Sequence, residues 1–426
     1  MSSRGPGALL KAGLASPLLP IWLVPALLPL GRSAEVGVFL ALVGSILLVV
    51  REPTAIRHHP GARLFLWLFA AYAGAALVSV VDAVAPGKSW GTLAGILRFA
   101  PLGVYTCFAM RRPGKVRAMW FATAAVVALW VADAWVQALT GYGLAGASDP
   151  ARLSGIFGAT NLKLGPAVSA LAPFLLWAGR ERWGRRGLIL TFLLALGPVL
   201  LSGSRASWIC YALVALAFLW REAGTFRRFA VACLGMGAVV LLVGALAWQV
   251  SPRFRDRVAH TLPALTGTSA GLDAALTGRL DIWTTSLRLY AAHPINGVGV
   301  RGFRAAYPSV ASPGDHFLTI EKCGDGEGAC HPHQVVLEAA TETGTLGLLA
   351  WLAATVLAVR VWWKAGPVAR ERAFPASVAL FAIFFPLNTH MAFYSAWWGL
   401  LTAWLFAVWC AALLVDLPDL EPSRGA

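Results

Sequence analysis

Residues 229–249 read FAVACLGMGAVVLLVGALAWQ, a stretch with no Asp, Glu, Lys or Arg, preceded by Arg227 and Arg228 and followed by Arg253. A helix needs about 20 mostly apolar residues to cross the hydrocarbon core of a bilayer, so this stretch reads as a membrane span. Outward from it, comparable stretches recur at 12–30, 35–50, 64–83, 91–109, 118–139, 162–179, 187–203, 207–220, 335–359, 374–390 and 395–415, twelve with the first. Of the 426 residues, 58% are hydrophobic and 13% charged, and the mean hydropathy is +0.68. Water-soluble domains carry roughly a quarter of their residues as charges, so a soluble domain and a disordered chain are both excluded. The expected fold is all-α and polytopic, with about twelve transmembrane helices.

The net charge of +15 is at first sight compatible with nucleic acid as a partner. Its distribution says otherwise. Segments 1–11, 51–63, 110–117, 180–186, 221–228, 360–373 and the tail after 415 hold 21 of the 35 Lys and Arg residues. They alternate with loops poor in positive charge, which is the positive-inside pattern and places both termini in the cytoplasm. The long segment 250–334 then faces outward, carrying eight basic and seven acidic residues. The expected organisation is helices one to nine over 1–249, a large external loop with amphipathic helices over 250–334, three more helices over 335–415, and a cytoplasmic tail over 416–426. The first apolar stretch, with Pro17, Pro20, Pro25 and Pro29, fits a span better than a cleaved signal peptide. Trp90, Trp120, Trp248, Trp362, Trp363, Trp397 and Trp398 fall near span ends and suit interfacial anchoring. No internal repeat is visible.

Cys107, Cys210, Cys233 and Cys410 fall inside spans and read as packing residues. Cys323 and Cys330 bracket a Gly-rich external turn, where an oxidising compartment would let them form a disulfide. Zinc, with His331 and His333, is the alternative, although the spacing matches no strong zinc pattern. Asp325 and Glu327 in the same turn are carboxylates that a divalent cation would accept, or simply solvated.

The residues with chemical potential lie between the seventh and tenth spans. Ser202-Gly203-Ser204-Arg205 places one Arg in a tight external turn, able to meet lipid headgroups or a ligand phosphate. Gly278-Arg279-Leu280-Asp281-Ile282-Trp283 opens a helix with Leu280, Trp283, Leu287 and Tyr290 spaced as one apolar stripe, expected against the bilayer or the bundle. His293-Pro294 follows, then Gly297-Val298-Gly299-Val300-Arg301 and Arg304. His331-Pro332-His333-Gln334 stands at the mouth of the tenth span, and Glu338 and Glu342 share one face inside it. Such intramembrane acids need a partner or a polar cavity, and pairing with Arg98 or Lys163 is the structural possibility.

In order, Arg152-Leu153-Ser154-Gly155-Ile156-Phe157-Gly158 with Asn161, Ser204-Arg205, Gly278-Arg279 with Trp283, His293-Pro294 with Gly297 and Gly299, and His333 with Leu337, Glu338, Glu342 and Gly344 form a series. With twelve spans and a large loop before the last three, this series resembles the O-antigen ligase and polysaccharide polymerase superfamily of bacterial inner membranes. The resemblance implies a glycosyltransferase C-like membrane fold with a periplasmic active site. It also implies transfer of a glycan from undecaprenyl diphosphate to a hydroxyl of the lipid A-core oligosaccharide, with no cofactor, no metal and no nucleic acid. His333 is the expected general base and His331 its fallback, with Glu338 and Arg152 in support. Arg205, Arg279, Arg301, Arg304 and Arg288 are the expected ligands of the departing diphosphate, since Arg binds phosphate oxygens bidentately. A single displacement predicts inversion at the anomeric carbon. Two departures stand out: Gln334 replaces the family's usual Asn, and the turn near Arg32–Glu35 lacks the acidic metal motif of many other lipid-sugar transferases. The expected assembly is a monomer among membrane lipids. Polymerases of O-antigen or exopolysaccharide and protein O-oligosaccharyltransferases share this chemistry and differ in acceptor. A transporter would instead use Asp82, Arg98, Asp133, Lys163, Glu338 and Glu342 along a permeation path.

Overall fold

A computed structural model describes residues 16–147, 152–159, 161–250, 252–259, 262, 268, 276, 278–319, 322–323 and 326–415. Asp325 and the side chains of Cys323 and Glu327 lie outside these. The described chain is mostly helical, with α1 Leu19–Leu27, α2 Glu35–Arg51, α3 Pro60–Ser79, α4 Pro86–Leu97, α5 Phe99–Ala109, α6 Pro113–Thr140 and α7 Leu164–Leu201. There follow α8 Arg205–Ala223, α9 Phe226–Val250, α10 Arg279–Ala292, α11 Val335–Lys364, α12 Pro367–Phe384 and α13 Ala396–Leu413. Two-residue strand pairs at 142–147 and 322–327 are the extended structure among the described residues.

The sequence sets the helix ends. Pro60, Pro86, Pro113 and Pro367 begin α3, α4, α6 and α12, where a missing N–H costs nothing. Left-handed Gly141 and Gly224 close α6 and α8. Ser204 and Ser395 cap α8 and α13 with their hydroxyls.

Nine helical stretches of the described residues are long and apolar enough to cross a membrane, and the protein is an all-α polytopic membrane protein. Two of the nine double back. The chain leaves helical geometry at Leu30–Gly31, and Gly37 of α2 then packs on Pro20 and Val24 of α1. Within α7 it does so at Trp183–Gly184, bringing Gly187 and Thr191 against Gly179. Each hairpin thus contains two of the apolar stretches read separately in the sequence. The eleventh stretch is shifted: α12 begins at Pro367 and stops at Phe384, because the residue before Pro386 is steered away from helical geometry. Residues 385–395 are therefore a turn and not the end of a span.

The loops expected on one side share one end of the bundle. Arg117 pairs with Glu181 at 3.6 Å, Arg180 and Arg185 with Glu222 at 2.8 and 3.4 Å, and Arg221 with Glu371. Ion pairs at a protein surface contribute about 0–1 kcal/mol each, so these partly exposed ones report geometry more than they create it. Trp120, expected at an interface, is instead buried with its indole donating to the Arg372 carbonyl at 3.0 Å, and Trp398 is buried too. By contrast α9, which contains residues 229–249, has no buried position in its apolar window. Only lipid or another chain can cover it.

At the opposite end α10 packs into a small separate core of Ile282, Leu289, Val298, Phe303, Tyr307 and Phe317. Its buried face is Ile282, Thr285, Ser286 and Leu289, while Leu287 is 57% exposed. The expected stripe through Leu287 is thus turned by roughly one position. Ser286 tolerates the interior because its hydroxyl donates to the Ile282 carbonyl at 2.6 Å.

The bend in α11 organises this end. Gly344 has φ 63° and ψ −164°, a backbone conformation nearly reserved for glycine. A Cβ there would meet the Ile295 carbonyl. Gly344→Val should therefore lower the thermal midpoint of the purified protein in detergent clearly, whereas Gly91→Ala, at a helix position with open space around it, should leave it unchanged or slightly raised. Equal midpoints for the two variants would contradict the role given to the bend.

Candidate active site

Because α11 breaks at Gly344, the carbonyls of Thr341 and Glu342 and the amides of Thr345 and Leu346 lose their partners within the helix. All four bond one segment instead. Val298 N–H donates to Thr341 O at 2.8 Å and Gly299 N–H to Glu342 O at 3.1 Å, while Thr345 and Leu346 donate to Pro294 O and Ile295 O at 2.8 and 3.1 Å. The other edge of segment 293–301 faces the turn between α3 and α4. There Val84 N–H donates to Val298 O at 3.0 Å, Ser89 to Val300 O at 2.9 Å, and Val300 N–H to the Ser79 hydroxyl at 3.2 Å. Gly297 and Gly299, with φ 74° and 90°, lie against α11 backbone and against Ala83 and Ser89. The Gly-Val-Gly sequence is therefore a strap that must pass between two backbones.

Glu338 and Glu342, both fully buried, hold the two loops that flank α11. Glu342 accepts the Arg301 N–H at 2.8 Å, and Glu338 accepts those of Phe393 and Tyr394 at 2.7 and 3.2 Å. Neither pairs as the sequence reading allowed. Arg98 forms a two-pronged bond with Glu35, at 2.7 and 2.8 Å, and the Lys163 ammonium sits 5.0 Å from the centre of the Trp397 ring.

The turn held by Glu338 carries Thr389 and His390. The Thr389 carbonyl lies 2.8 Å from Nδ1 of His333, and the His331 and His333 rings are 3.9 Å apart. A carbonyl only accepts, so Nδ1 carries the proton and Nε2 presents a lone pair. Loss of hydration and then the Arg279 charge push His333 down to about 4. His390 is pushed down to about 3 by loss of hydration and by Arg279, His333 and Arg152. His331 is driven well below its ordinary value by burial, His333, Arg301, His390 and Arg279. All three imidazoles are neutral at pH 7, amid positive charge.

Arg301 and His333 have φ 61° and 54°, and among the described residues they are the non-glycines with positive φ. Such conformations cost about 1–3 kcal/mol and persist only where the surroundings impose them. Arg301 Nη1, Arg304 Nε and His331 Nε2 are also buried without a hydrogen-bond partner, as is Glu342 Oε1. Burial and the neighbouring Arg301 charge lower Arg304 as well. Two like charges held together with unmet donors are suited to an anion.

Arg279 starts α10 after left-handed Gly278, and Arg152 belongs to a loop held by Gln137, whose Oε1 accepts from Ser154 and Gly155 at 3.1 and 2.7 Å. Arg205 opens α8, whose Ser207 lines a small gap together with Asn388, beside Thr389. Arg288 stands apart: it is exposed and bonds Val310 O and Ser312 Oγ at 3.2 and 2.8 Å, bracing its own loop. Cys330 is disulfide-bonded, so it offers no thiolate to zinc, and Cys107, Cys210, Cys233 and Cys410 are free thiols. No group of three His, Cys, Asp or Glu among the described residues is arranged to hold a metal. The sequence reading missed His390 and the Thr389 carbonyl by placing both inside a span; the polar run Asn388-Thr389-His390 just after Pro386 was the available signal.

Residues 190–352 match the family model described as O-antigen ligase. Over that stretch the chain is similar to the O-antigen ligase family. The matched stretch covers α10, the strap, the His331–His333 turn and the bend of α11, so the family's segment is the one that builds this end of the bundle. No curated protein matches the chain.

Arg301→Gly removes a strained φ together with an incompletely bonded buried guanidinium. Its thermal midpoint should rise, by the equivalent of about 1 kcal/mol, while any glycan transfer falls. A lower midpoint would mean that the guanidinium is structural.

Proposed function

We propose that this protein is an O-antigen ligase, moving O-antigen polysaccharide from undecaprenyl diphosphate to a hydroxyl of the lipid A-core oligosaccharide at the periplasmic face of the bacterial inner membrane. Both termini and the ion-paired loops then face the cytoplasm, the two hairpins and α12 bring the nine spans to twelve crossings, and residues 250–334 are the periplasmic loop. The observation that carries this is the meeting of a tautomer-fixed His333 with Arg279, Arg301 and Arg304 at one end of the bundle.

The acceptor oxygen attacks the anomeric carbon and forms the new glycosidic bond as the bond to the diphosphate oxygen breaks. The acceptor proton passes to His333 Nε2 and later to water. Arg279, Arg301 and Arg304, with Arg205 at the adjoining turn, take the charge of the departing lipid diphosphate. Attack opposite the leaving group inverts the anomeric configuration. Arg288 is left out of this set because it braces its own loop. The Cys330 disulfide, in the turn that Cys323 begins, steadies the approach to His331 and His333.

The test is transfer in vitro, with undecaprenyl-diphosphate glycan offered to lipid A-core, to a second lipid-linked glycan and to a peptide. Ligase activity requires the first acceptor; use of the second or third instead would make the protein a polymerase or a protein transferase. His333→Ala should lower turnover by about 10²–10⁴-fold with unchanged expression. Retained turnover, combined with loss in His331→Ala, would move the base by two residues. Retention of configuration would overturn the single displacement. Protonated His333 cannot accept a proton, so activity falls as pH drops through its folded value. The acid limb of kcat/KM should lie near about 4, not near the ordinary 6.5, and a limb at 6–7 would place the base elsewhere.

A further inference from the structure

The loop between α6 and α7 brings a second set of cations to this end of the bundle. Two side chains one turn apart on α6 hold it. Gln137 accepts from Ser154 and Gly155, and the buried Asp133 accepts the Leu144 N–H at 2.6 Å. Leu153 N–H donates to Leu201 O at 3.1 Å, which ties the same loop to the end of α7. Arg152 of this loop acts on His390, whereas Arg301 of the strap acts on His331. The imidazole cluster therefore has cations on two flanks, the strap on one and this loop on the other.

Lys163 stands where the loop enters α7. Its ammonium is 5.0 Å from the centre of the ring of Trp397, in the first turn of α13. That ring meets the Trp398 ring edge-on at 4.8 Å, and the Trp398 N–H donates to the capping Ser395 hydroxyl at 3.3 Å, so its position is set. The place adjoins the His390 turn: Pro166, three residues into α7, lines a small gap together with Trp398 and Asn388. Lys163 is half-buried and forms no ion pair among the described residues, and Trp397 Nε1 is buried without an acceptor. A ring face returns only part of the hydration that an ammonium gives up, so the corner offers positive charge and lacks a counter-charge.

The direction of attack identifies the anion. On the proposed reading the lipid diphosphate takes Arg279, Arg301 and Arg304, and an acceptor oxygen attacking opposite the leaving group enters from the flank away from them. Resting on the function proposed above, we infer that Lys163, steadied by Trp397, binds an acidic substituent of the acceptor saccharide, phosphate or carboxylate, and holds the acceptor on the loop flank of the imidazoles. An ammonium is a point charge with three rotatable donors, so it grips either group without dictating one orientation. The geometry of the attacking hydroxyl is then left to the rest of the site.

Lys163→Gln removes the charge. In transfer to lipid A-core its KM for the acceptor should rise about tenfold, the effect of losing one charge-assisted hydrogen bond. Its kcat, its KM for the donor and its thermal midpoint should match the unsubstituted protein, and Lys163→Arg should recover most of the acceptor affinity. Acceptors freed of phosphate, or with carboxylates reduced to alcohols, separate the two groups. The treatment that removes the bound group should raise KM of the unsubstituted protein by the same factor, and Lys163→Gln should then add nothing. An acceptor KM unaltered by Lys163→Gln, or a loss that persists in full after both treatments, would overturn the inference. Binding of lipid A-core without donor, to the purified protein in phosphatidylethanolamine nanodiscs, reads the same contact without turnover. It should weaken about tenfold in Lys163→Gln and be indifferent to added phosphatidylglycerol. Competition by phosphatidylglycerol would make Lys163 a headgroup anchor and overturn the inference. Lysine-dependent binding without any glycan transfer would count against the proposed function alone.

Discussion

Everything at the reactive end depends on a helix that gives up its own hydrogen bonds. Backbone groups at membrane depth have no water to turn to, so a broken turn survives only if another segment replaces the lost partners. In α11 the break at Gly344 leaves two carbonyls and two amides open, and residues 294–299 satisfy all four. This exchange fixes the strap against α11 to within a hydrogen bond's tolerance. Arg301 follows directly from the strap, and Glu342, two residues before the bend, accepts its amide. A continuous helix would offer the strap nothing to bind.

The same economy explains the two buried glutamates. Isolated carboxylates inside a membrane bundle are costly, yet each here accepts main-chain N–H groups from a loop that must not move. Glu338 fixes the turn bearing Thr389 and His390, and Glu342 fixes the strap that ends in Arg301, three residues before Arg304. Their spacing of one helical turn sets the distance between the two loops, and so between the imidazole cluster and the guanidinium pair. The residues held on either side, His333 and Arg301, have the strained backbone. Strain is sustained where several elements over-determine a position, and these positions are bounded by α11, the strap and the turn after α12.

Much of the fold was legible because a bilayer imposes a length. Apolar stretches and the alternation of basic loops needed no tertiary information, and the two hairpins answer to pairs of stretches already separate in the sequence. The errors arose where local signals compete. Residues 385–390 are apolar enough to extend a span, but Pro386 ends the helix and frees Asn388, Thr389 and His390 for the site. In α10 hydrophobicity favoured a stripe through Leu287, whereas packing chose Ile282, Ser286 and Leu289, since a serine that bonds its own helix is easily buried. Arg288 and Arg301 look alike in sequence. They differ because one is exposed and bonded to its own loop, whereas the other is held half-buried by a glutamate 41 positions away. Convergence of this kind is a property of chain topology, which residue spacing does not encode.

On the proposed reading the anion site and the base are one electrostatic unit. Arg279 lies close enough to lower His333 and His390, and Arg301 lowers His331. Burial first, and these charges after it, keep the imidazoles neutral and make them poor proton acceptors. A bound diphosphate would offset the Arg charges, which removes that part of the opposition to an imidazolium while burial keeps its own, and so raises the basicity of His333. The histidine is therefore weakly basic when the donor is absent and stronger when it is present. Since the strap places Arg301 and the turn after α12 places Thr389, this coupling between donor binding and proton transfer rests on the two loops that Glu338 and Glu342 hold to a single bent helix.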